Sequence, residues 1–141
     1  MKIKAFIDTN TIIYGFEFRK SNSAIVLGLI NEDKIEAFIT MNVLVEVSDY
    51  FKRHYSREDS NKVVKYLLEI CRIIYEDDCK EEMKKLKGKI KQKDLPQIAA
   101  TKALGLKYLI SYDRDFLPFS EYRTPKHFLK ELYLKTKETQ Y

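Results

Sequence analysis

The fold is decided by the stretch Lys-Ile-Lys-Ala-Phe-Ile-Asp-Thr-Asn, residues 2–10. Residues 2–7 alternate between polar and apolar side chains, which predicts a short strand that ends just before Asp8. Thr9 and Asn10 are residues that commonly begin a helix, so the chain is expected to turn directly from strand into helix. A strand that leads straight into a helix is typical of an α/β fold.

Strand and helix signals continue to alternate along the rest of the chain. Further strands are predicted over residues 37–40, 73–75 and 108–111. Helices are predicted over residues 21–31, 42–55, 56–72, 79–91 and 94–105, and from Pro125 onward. This alternation predicts an α/β sandwich with a mostly parallel central sheet. No repeat or linker divides the sequence, so we expect a single domain over residues 1–141.

The composition is that of an ordinary globular protein, with 45% hydrophobic and 33% charged residues. The uncharged runs are too short to span a membrane, and the N-terminal apolar stretch is too short for a signal peptide, so a cytoplasmic protein is expected. Cys71 and Cys79 lie eight residues apart and form no CxxC pair, and the chain has only two histidines, so the usual Cys/His zinc site is not expected. A net charge of +5 fits a polyanionic partner without identifying one.

Two carboxylates follow predicted strands. Asp8 comes directly after the first strand, and Asp113 lies two residues beyond Ser111, where another strand is expected to end. Because the carboxyl ends of parallel strands share one edge of a sheet, where ligands commonly bind, we expect these two acids to lie close together. Asp94 begins a helix that leads into the strand over residues 108–111. Such helix starts are expected at the opposite edge, so the sheet does not place Asp94.

Glu46 stands among apolar residues of a predicted helix. An apolar face is defined by Val43, Val47, Tyr50 and Phe51. Glu46 lies on the same side of the helix, three residues after Val43 and four before Tyr50. A carboxylate on such a face is costly unless a cation or hydrogen bonds satisfy it. In the alternative interpretation, Glu46 lies at the edge of the face and reaches water or pairs with a basic residue.

The other acids have structural alternatives as well. Asp8 and Asp94 are well suited to cap helices, and Asp113 and Asp115 are common turn residues. A shared site explains all of them at once, whereas the alternatives need a separate reason for each. Hard oxygen donors in this number, without histidine or cysteine, favour Mg²⁺ or Mn²⁺ over zinc.

Four segments of the sequence, in this order, resemble the motifs of the PIN-domain family, and of VapC-type toxins in particular. They are Ile7-Asp8-Thr9-Asn10, Glu46 within Val43–Val47, Asp94 at the head of the Ala-rich residues 93–103, and Leu109–Phe116 with Asp113 and Asp115. Residues 124–129 are similar to the last strand-to-helix junction of the family, so the resemblance spans the whole chain. Ser111 replaces the commoner Thr and keeps its hydroxyl, and Pro96 is tolerated in the first turn of a helix.

The resemblance implies a PIN-like three-layer α/β/α sandwich and a metal-dependent endoribonuclease that hydrolyses RNA phosphodiester bonds with Mg²⁺ or Mn²⁺. Asp8 and Asp94 are then the direct metal ligands. Glu46 and Asp113 complete the shell, directly or through water, and one of them accepts the proton of the attacking water. Asp115 is a candidate fifth acid.

Two further groups of residues are assigned to this site. Thr9, Asn10 and Ser111 are expected to hydrogen-bond the ligand carboxylates. Six lysines crowd the segment before Asp94 and are candidate contacts to the RNA backbone: Lys84, Lys85, Lys87, Lys89, Lys91 and Lys93. In the alternative interpretation this run is a solvated helix face, with the apolar residues between the lysines facing the core.

The resemblance also suggests a biological role. VapC-like toxins form homodimers and are inhibited by a small antitoxin protein, so a toxin with RNA, an antitoxin and a second copy as partners is expected, and no membrane. A non-toxin PIN nuclease of RNA processing and a non-catalytic RNA-binding or interaction module are the alternatives. Phosphatases of the haloacid-dehalogenase type need D-x-D after the first strand, which Asp8-Thr9-Asn10 lacks, and response-regulator receivers need a pair of acids there.

Overall fold

The computed structural model describes residues 2–132 and 134–138. Strands and helices alternate over most of this range. The strands are β1 (Ile3–Ile7), β2 (Ile35–Thr40), β3 (Cys71–Ile74), β4 (Tyr108–Ile110) and β5 (Tyr122–Arg123). The helices are α1 (Thr9–Glu17), α2 (Asn22–Asn31), α3 (Met41–His54), α4 (Arg57–Ile70), α5 (Lys80–Leu86), α6 (Leu95–Ala103) and α7 (Pro125–Glu131). Short 3₁₀ turns cover Glu76–Cys79, Gln92–Asp94 and Arg114–Phe116.

The five strands form one sheet in the order β3-β2-β1-β4-β5, and every neighbouring pair is parallel. Ala5 of β1 is in register with Ala37 of β2 on one side and with Tyr108 of β4 on the other. The central strands are apolar because helices cover the sheet, and Phe6 and Leu109 have no exposed surface. The expected α/β fold is therefore confirmed, with a sheet that is wholly parallel.

The strand order reverses at β1. The chain proceeds from β1 outward to β3, and then returns to the other side of β1 for β4 and β5. In parallel sheets this arrangement leaves a crevice outside the carboxyl ends of the two strands at the reversal, here β1 and β4. Asp8 follows β1 and Ser111 follows β4, so both residues border this crevice.

Several local boundaries differ from those expected. Helix α3 begins at Met41, one residue before the predicted start, and it is capped by Thr40, whose hydroxyl accepts a hydrogen bond from the Val43 N–H at 3.2 Å. The predicted helix over 79–91 is shorter, because the chain leaves the helix before Gly88, which adopts a φ of 85°. Strand β5 was not predicted, since two residues are too few to show an alternating pattern.

Helix α6 packs over the centre of the sheet and contacts β1, β2 and β4. Its inner residues Ile98, Ala99 and Ala100 have no exposed surface, and the two alanines allow the helix to lie close to the strands. A crossover helix runs antiparallel to the strands that it connects, so its first turn lies at the carboxyl edge of the sheet. Within the described residues, no helix has the length and apolar character that crossing a membrane requires.

Candidate metal centre

Asp8 is fixed at the end of β1 by two hydrogen bonds. Its Oδ1 accepts from the Thr9 N–H at 2.8 Å and caps α1, and its Oδ2 accepts from the Ser111 hydroxyl at 2.7 Å. The residue is 5% exposed. Burial raises the pKa of the Asp8 carboxyl, the two hydrogen bonds oppose this rise, and the charge of Asp113 adds to it. The helix-cap interpretation of Asp8 is thus correct, and it leaves the carboxylate in the crevice.

Asn10 and Ser111 join the ends of β1 and β4. The Asn10 amide donates to the Ser111 hydroxyl at 3.3 Å, and its oxygen accepts from the Tyr112 N–H at 3.2 Å. The fully buried Ser111 hydroxyl also accepts from the Asp113 N–H at 3.0 Å. These side chains lie directly behind Asp8 and Asp113, where they hold the position of both acids.

Asp94 lies at the first turn of α6, and its side chain does not cap that helix. The residue is 4% exposed, and its buried Oδ2 has no hydrogen-bond partner. Carboxylate oxygens of Asp94, Asp113 and Asp115 all lie within 4.8 Å of one another. Burial, followed by the charge of Asp113, raises the pKa of Asp94 to about 6. The expectation that the sheet leaves Asp94 at the opposite edge was wrong, because α6 begins at the carboxyl edge.

Asp113 and Asp115 belong to the turn after β4. Asp113 Oδ1 accepts from the Asp115 N–H at 2.9 Å, so the turn interpretation of Asp113 is correct for one of its two oxygens. Asp115 Oδ2 forms an ion pair with Lys91 Nζ at 3.2 Å, and this bond is the main reason that the pKa of Asp115 is lowered. The candidate fifth acid therefore belongs to the group of three carboxylates around Asp94.

Glu46 lies at the rim of the site. Val43 and Val47 are fully buried, whereas Glu46 is exposed, so it occupies the edge of the apolar face and not its middle. Its carboxyl group is nevertheless partly shielded from water. This shielding, together with the charge of Asp8, raises the pKa of Glu46, and the charge of Lys93 opposes the rise.

Two unsatisfied oxygens mark the site. Among the residues that the structure describes, Thr9 Oγ1 and Asp94 Oδ2 are the buried side-chain oxygens without a hydrogen-bond partner. Buried polar groups in native proteins are almost always satisfied, so two exceptions at one edge of the sheet point to a ligand there. A divalent cation fits these donors, because the site offers several carboxylates and no histidine or cysteine.

Asp94, Asp113 and Asp115 form the close group of carboxylates, and electrostatic interactions link Asp8 and Glu46 to it. The charge of Asp8 acts on Glu46, that of Asp113 acts on Asp8 and on Asp94, and Asp94 is also linked to Asp115. Carboxylates cannot hydrogen-bond to one another unless one of them is protonated. Lys91 and Lys93 offset part of the repulsion among these acids, and a bound cation would offset more of it and satisfy more of their oxygens.

Two residues near the site were not predicted. Gln97 is buried in α6, and in the orientation that satisfies its amide the nitrogen donates to the carbonyls of Asp94 and Lys93 at 3.2 and 3.3 Å. Tyr122 lies close enough to Asp113 and Asp8 for their charges to contribute to its raised pKa. Gln97 was detectable as a polar residue in an apolar helix, whereas Tyr122 belongs to the strand that gave no signal.

The six lysines before Asp94 are all exposed. Lys85 pairs with Glu82 at 3.6 Å and Lys91 pairs with Asp115. Leu86 is buried, and Met83 packs against the core beside it. The segment is solvated, as the alternative expects, but only Lys84 and Lys85 lie on a helix, because α5 ends at Leu86. Lys91 and Lys93 are close enough to the acids to change their pKa values.

The sequence and the structure were compared with known proteins. A family model described as the PIN domain matches residues 4–115. No curated protein sequence matches the chain. Solved structures with the same fold include a toxin–antitoxin complex from Klebsiella pneumoniae, at 23% identity and a TM-score of 0.68 over 86% of this chain and 97% of that one. They also include VapBC2 from Rickettsia felis bound to a DNA fragment from their promoter, at 16% identity and a TM-score of 0.70 over 86% and 98%.

A third structure is that of the sarcin–ricin-loop-cleaving toxin VapC20 from Mycobacterium tuberculosis. It is 15% identical, with a TM-score of 0.61 over 81% of this chain and 93% of that one. At these identities the solved structures establish the fold. The family model covers most of the chain and includes all five acids of the site. Asp115, the fifth, is the last residue of the match. The chain belongs to the PIN-domain family.

Proposed function

We propose that this chain is a Mg²⁺- or Mn²⁺-dependent endoribonuclease, and that it acts as the toxin of a VapBC-type toxin–antitoxin pair. The observation that carries the proposal is the buried Asp94 Oδ2, which lacks a partner and lies among the carboxylates of Asp113 and Asp115. PIN domains are typical of metal-dependent nucleases. An acid-rich site at the switch point of this fold supports the same chemistry.

The residues have distinct proposed roles. Asp8 and Asp94 hold the metal, with Asp113 and Asp115 completing its shell from the turn after β4. Thr9, Asn10 and Ser111 keep the ligand carboxylates in place through the crevice contacts described above. A bound divalent ion polarises the phosphate and lowers the pKa of a coordinated water.

Glu46 is suited to accept a proton in this reaction. Its carboxylate reaches solvent at the rim of the site, and partial shielding from water, together with the charge of Asp8, raises its pKa. The exposed Lys84, Lys85, Lys87, Lys89, Lys91 and Lys93 are proposed to contact the RNA backbone before the cleaved bond.

The nuclease proposal is tested with purified protein and single-stranded RNA in Mg²⁺, Mn²⁺ or EDTA. We expect cleavage with either metal, none in EDTA, and a loss of at least about 100-fold in Asp94→Asn. Asp49→Asn, an exposed acid on α3, is the matched control and is expected to cleave as the wild type does. RNA binding without cleavage under every metal would leave a non-catalytic module.

The toxin role is supported by the solved structures, which are toxin–antitoxin complexes or toxins by their own descriptions. It implies a homodimer and a small antitoxin that covers the acidic site. Induced expression in bacteria is expected to arrest growth, and Asp94→Asn is expected to remove the arrest. Active nuclease without any arrest would instead support a role in RNA processing.

A further inference from the structure

A groove of about 720 Å³ opens beside the metal centre, on the side of the sheet where β5 forms the edge. We call it the β5 groove. The lining residues that matter here are Tyr112, Arg114, Phe119, Tyr122, Arg123 and His127. None of them belongs to the acidic cluster, and the proposed chemistry does not use them.

The charge of the groove is opposite to that of the metal centre. Its described lining contains Arg114, Arg123 and His127 and no carboxylate. The cavity beside the ends of β2 and β3 differs, since Glu76 and Asp77 line it. The β5 groove therefore suits an anionic ligand.

One of the two arginines is free to bind such a ligand. Arg123 is used internally, since its Nε donates to Glu131 at 2.9 Å and its Nη1 donates to two backbone carbonyls at 2.7 Å. Arg114 is exposed, and its guanidinium has no ion pair or hydrogen bond within the described part of the chain. A guanidinium in this state is suited to a phosphate, which it can contact through two parallel N–H groups.

The walls of the groove are aromatic. Phe119 and Tyr122 are half-buried, and the Tyr122 ring packs near that of Phe116 at a centroid distance of 6.3 Å. Tyr112, which also lines the groove, is held by an edge-to-face contact with Tyr14 at a centroid distance of 5.1 Å. Rings fixed in this way offer flat surfaces on which a nucleobase can stack.

The groove lies next to the metal centre. Tyr112 and Arg114 are the sequence neighbours of Asp113, and the charges of Asp113 and Asp8 are felt at Tyr122. When the cleaved phosphate of a nucleic acid strand lies among the acids, the neighbouring nucleotide lies next to the groove.

We propose that the β5 groove binds one nucleotide of a single-stranded RNA next to the cleaved bond, with Arg114 on its phosphate and Phe119 and Tyr122 against its base. This inference rests on the proposed ribonuclease function. It identifies the part of the site that selects unpaired RNA, because a base in a duplex cannot leave its stack to enter the groove.

The test is the binding of a fluorescent single-stranded RNA of eight nucleotides, measured by anisotropy in EDTA so that no cleavage occurs. We expect Arg114→Ala to weaken binding about tenfold and to reduce the slope of log Kd against log salt by about one. Phe119→Leu keeps the bulk of the side chain and is expected to weaken binding about fivefold. Arg72→Ala removes the same charge at the other edge of the sheet and is expected to stay within about twofold.

The outcomes separate this inference from the proposed function. Equal binding by Arg114→Ala and Arg72→Ala, or equal affinity of the wild type for a duplex of the same sequence, would overturn the groove proposal. Cleavage by Arg114→Ala with an unchanged KM would also overturn the groove proposal, but it would support the nuclease function. Selective loss of RNA binding in Arg114→Ala, in a protein that cleaves under no metal, would overturn the nuclease and retain the groove. The groove proposal would also be overturned if the groove bound a protein segment and no RNA.

Discussion

The Ser111 hydroxyl donates a 2.7 Å hydrogen bond to Oδ2 of Asp8, which lies 103 residues earlier in the chain. The same hydroxyl accepts from the Asp113 N–H at 3.0 Å and has no exposed surface. One buried oxygen thus fixes the carboxylate that ends β1 and the turn that follows β4. Its removal is expected to loosen both halves of the site.

Ser111→Ala is expected to lower the free energy of unfolding by about 1–2 kcal/mol, because Asp8 loses a charge-assisted hydrogen bond in a buried position. Mn²⁺ affinity, measured by calorimetry, is expected to fall with it. Ser111→Thr keeps the hydroxyl and is expected to retain most of both quantities. If Ser111→Thr is as damaging as Ser111→Ala, the hydroxyl is not the cause.

Asp94→Asn is expected to stabilise the metal-free protein. The substitution removes one negative charge from a crowded cluster, and its amide is able to donate to the Asp113 carboxylate. A gain of about 1 kcal/mol, or roughly 3–4 °C in Tm, is expected in EDTA.

The matched measurement is thermal unfolding with added Mn²⁺. The metal is expected to raise the Tm of the wild type and of the control Asp49→Asn by several degrees, and that of Asp94→Asn far less. A metal-free Asp94→Asn that is less stable than the wild type would show that the carboxylate has a structural role.

Residue patterns were sufficient to predict the meeting of Asp8 and Asp113, because both follow strands and the carboxyl ends of parallel strands share an edge. They did not place Asp94, because helix starts that lead into parallel strands were expected at the opposite edge of the sheet. A helix that runs antiparallel to its strands begins at the same edge, and α6 does so. The order of strands and helices is therefore sufficient to predict that Asp94 lies at the carboxyl edge of the sheet.

The position of Glu46 shows a different limit. A helical pattern assigns residues to a face in steps of about 100°, which cannot separate the middle of an apolar face from its edge. Glu46 lies at that edge and is exposed. The β5 groove was beyond prediction altogether, since it depends on a two-residue strand and on which aromatics the packing leaves uncovered.

The stability of the metal-free protein is expected to depend on pH through Asp94. Its pKa is about 6 in the folded state and near 3.8 when unfolded, so the folded state binds the proton more tightly. This contribution is present in full below pH 3.8 and is lost as pH rises through 6, by roughly 1–3 kcal/mol in all.

The pKa values of Asp8 and Glu46 are raised as well, so the quantity to measure is the difference in unfolding free energy between the wild type and Asp94→Asn. That difference is expected to change between pH 4 and 7 and to be constant above it. Bound protons also compete with metal, so Mn²⁺ affinity should fall as the pH is lowered through 6. A difference that does not vary with pH would contradict the raised pKa.

Two glycines are expected to respond in opposite ways to alanine. A Cβ on Gly15 meets Leu27 Cδ1 at 2.4 Å and the Ser23 carbonyl at 3.1 Å, where α1 crosses α2. Gly15→Ala is therefore expected to cost about 1–3 kcal/mol of stability. Gly28, also helical, has nothing within 4 Å of such a Cβ, and Gly28→Ala is expected to stabilise by about 0.5–1 kcal/mol. Chemical denaturation of both variants tests this, and equal effects would contradict the close approach of α1 and α2.

Lys91→Ala is expected to change metal and RNA affinity in opposite directions. Lys91 neutralises Asp115 through their 3.2 Å ion pair, so its removal leaves the cluster more negative. Mn²⁺ is then expected to bind about two- to fivefold more tightly, which corresponds to the energy of an exposed ion pair. Single-stranded RNA is expected to bind more weakly, because one positive charge is lost.

Lys87→Ala is the matched control, because Lys87 is exposed in the same run of lysines and has no ion pair with Asp115. It is expected to weaken RNA binding and to leave Mn²⁺ affinity within about twofold. Calorimetry with Mn²⁺ and anisotropy with RNA give the two readouts. If both affinities fall in Lys91→Ala, the lysine supports the fold of the turn and does not compete with the metal for Asp115.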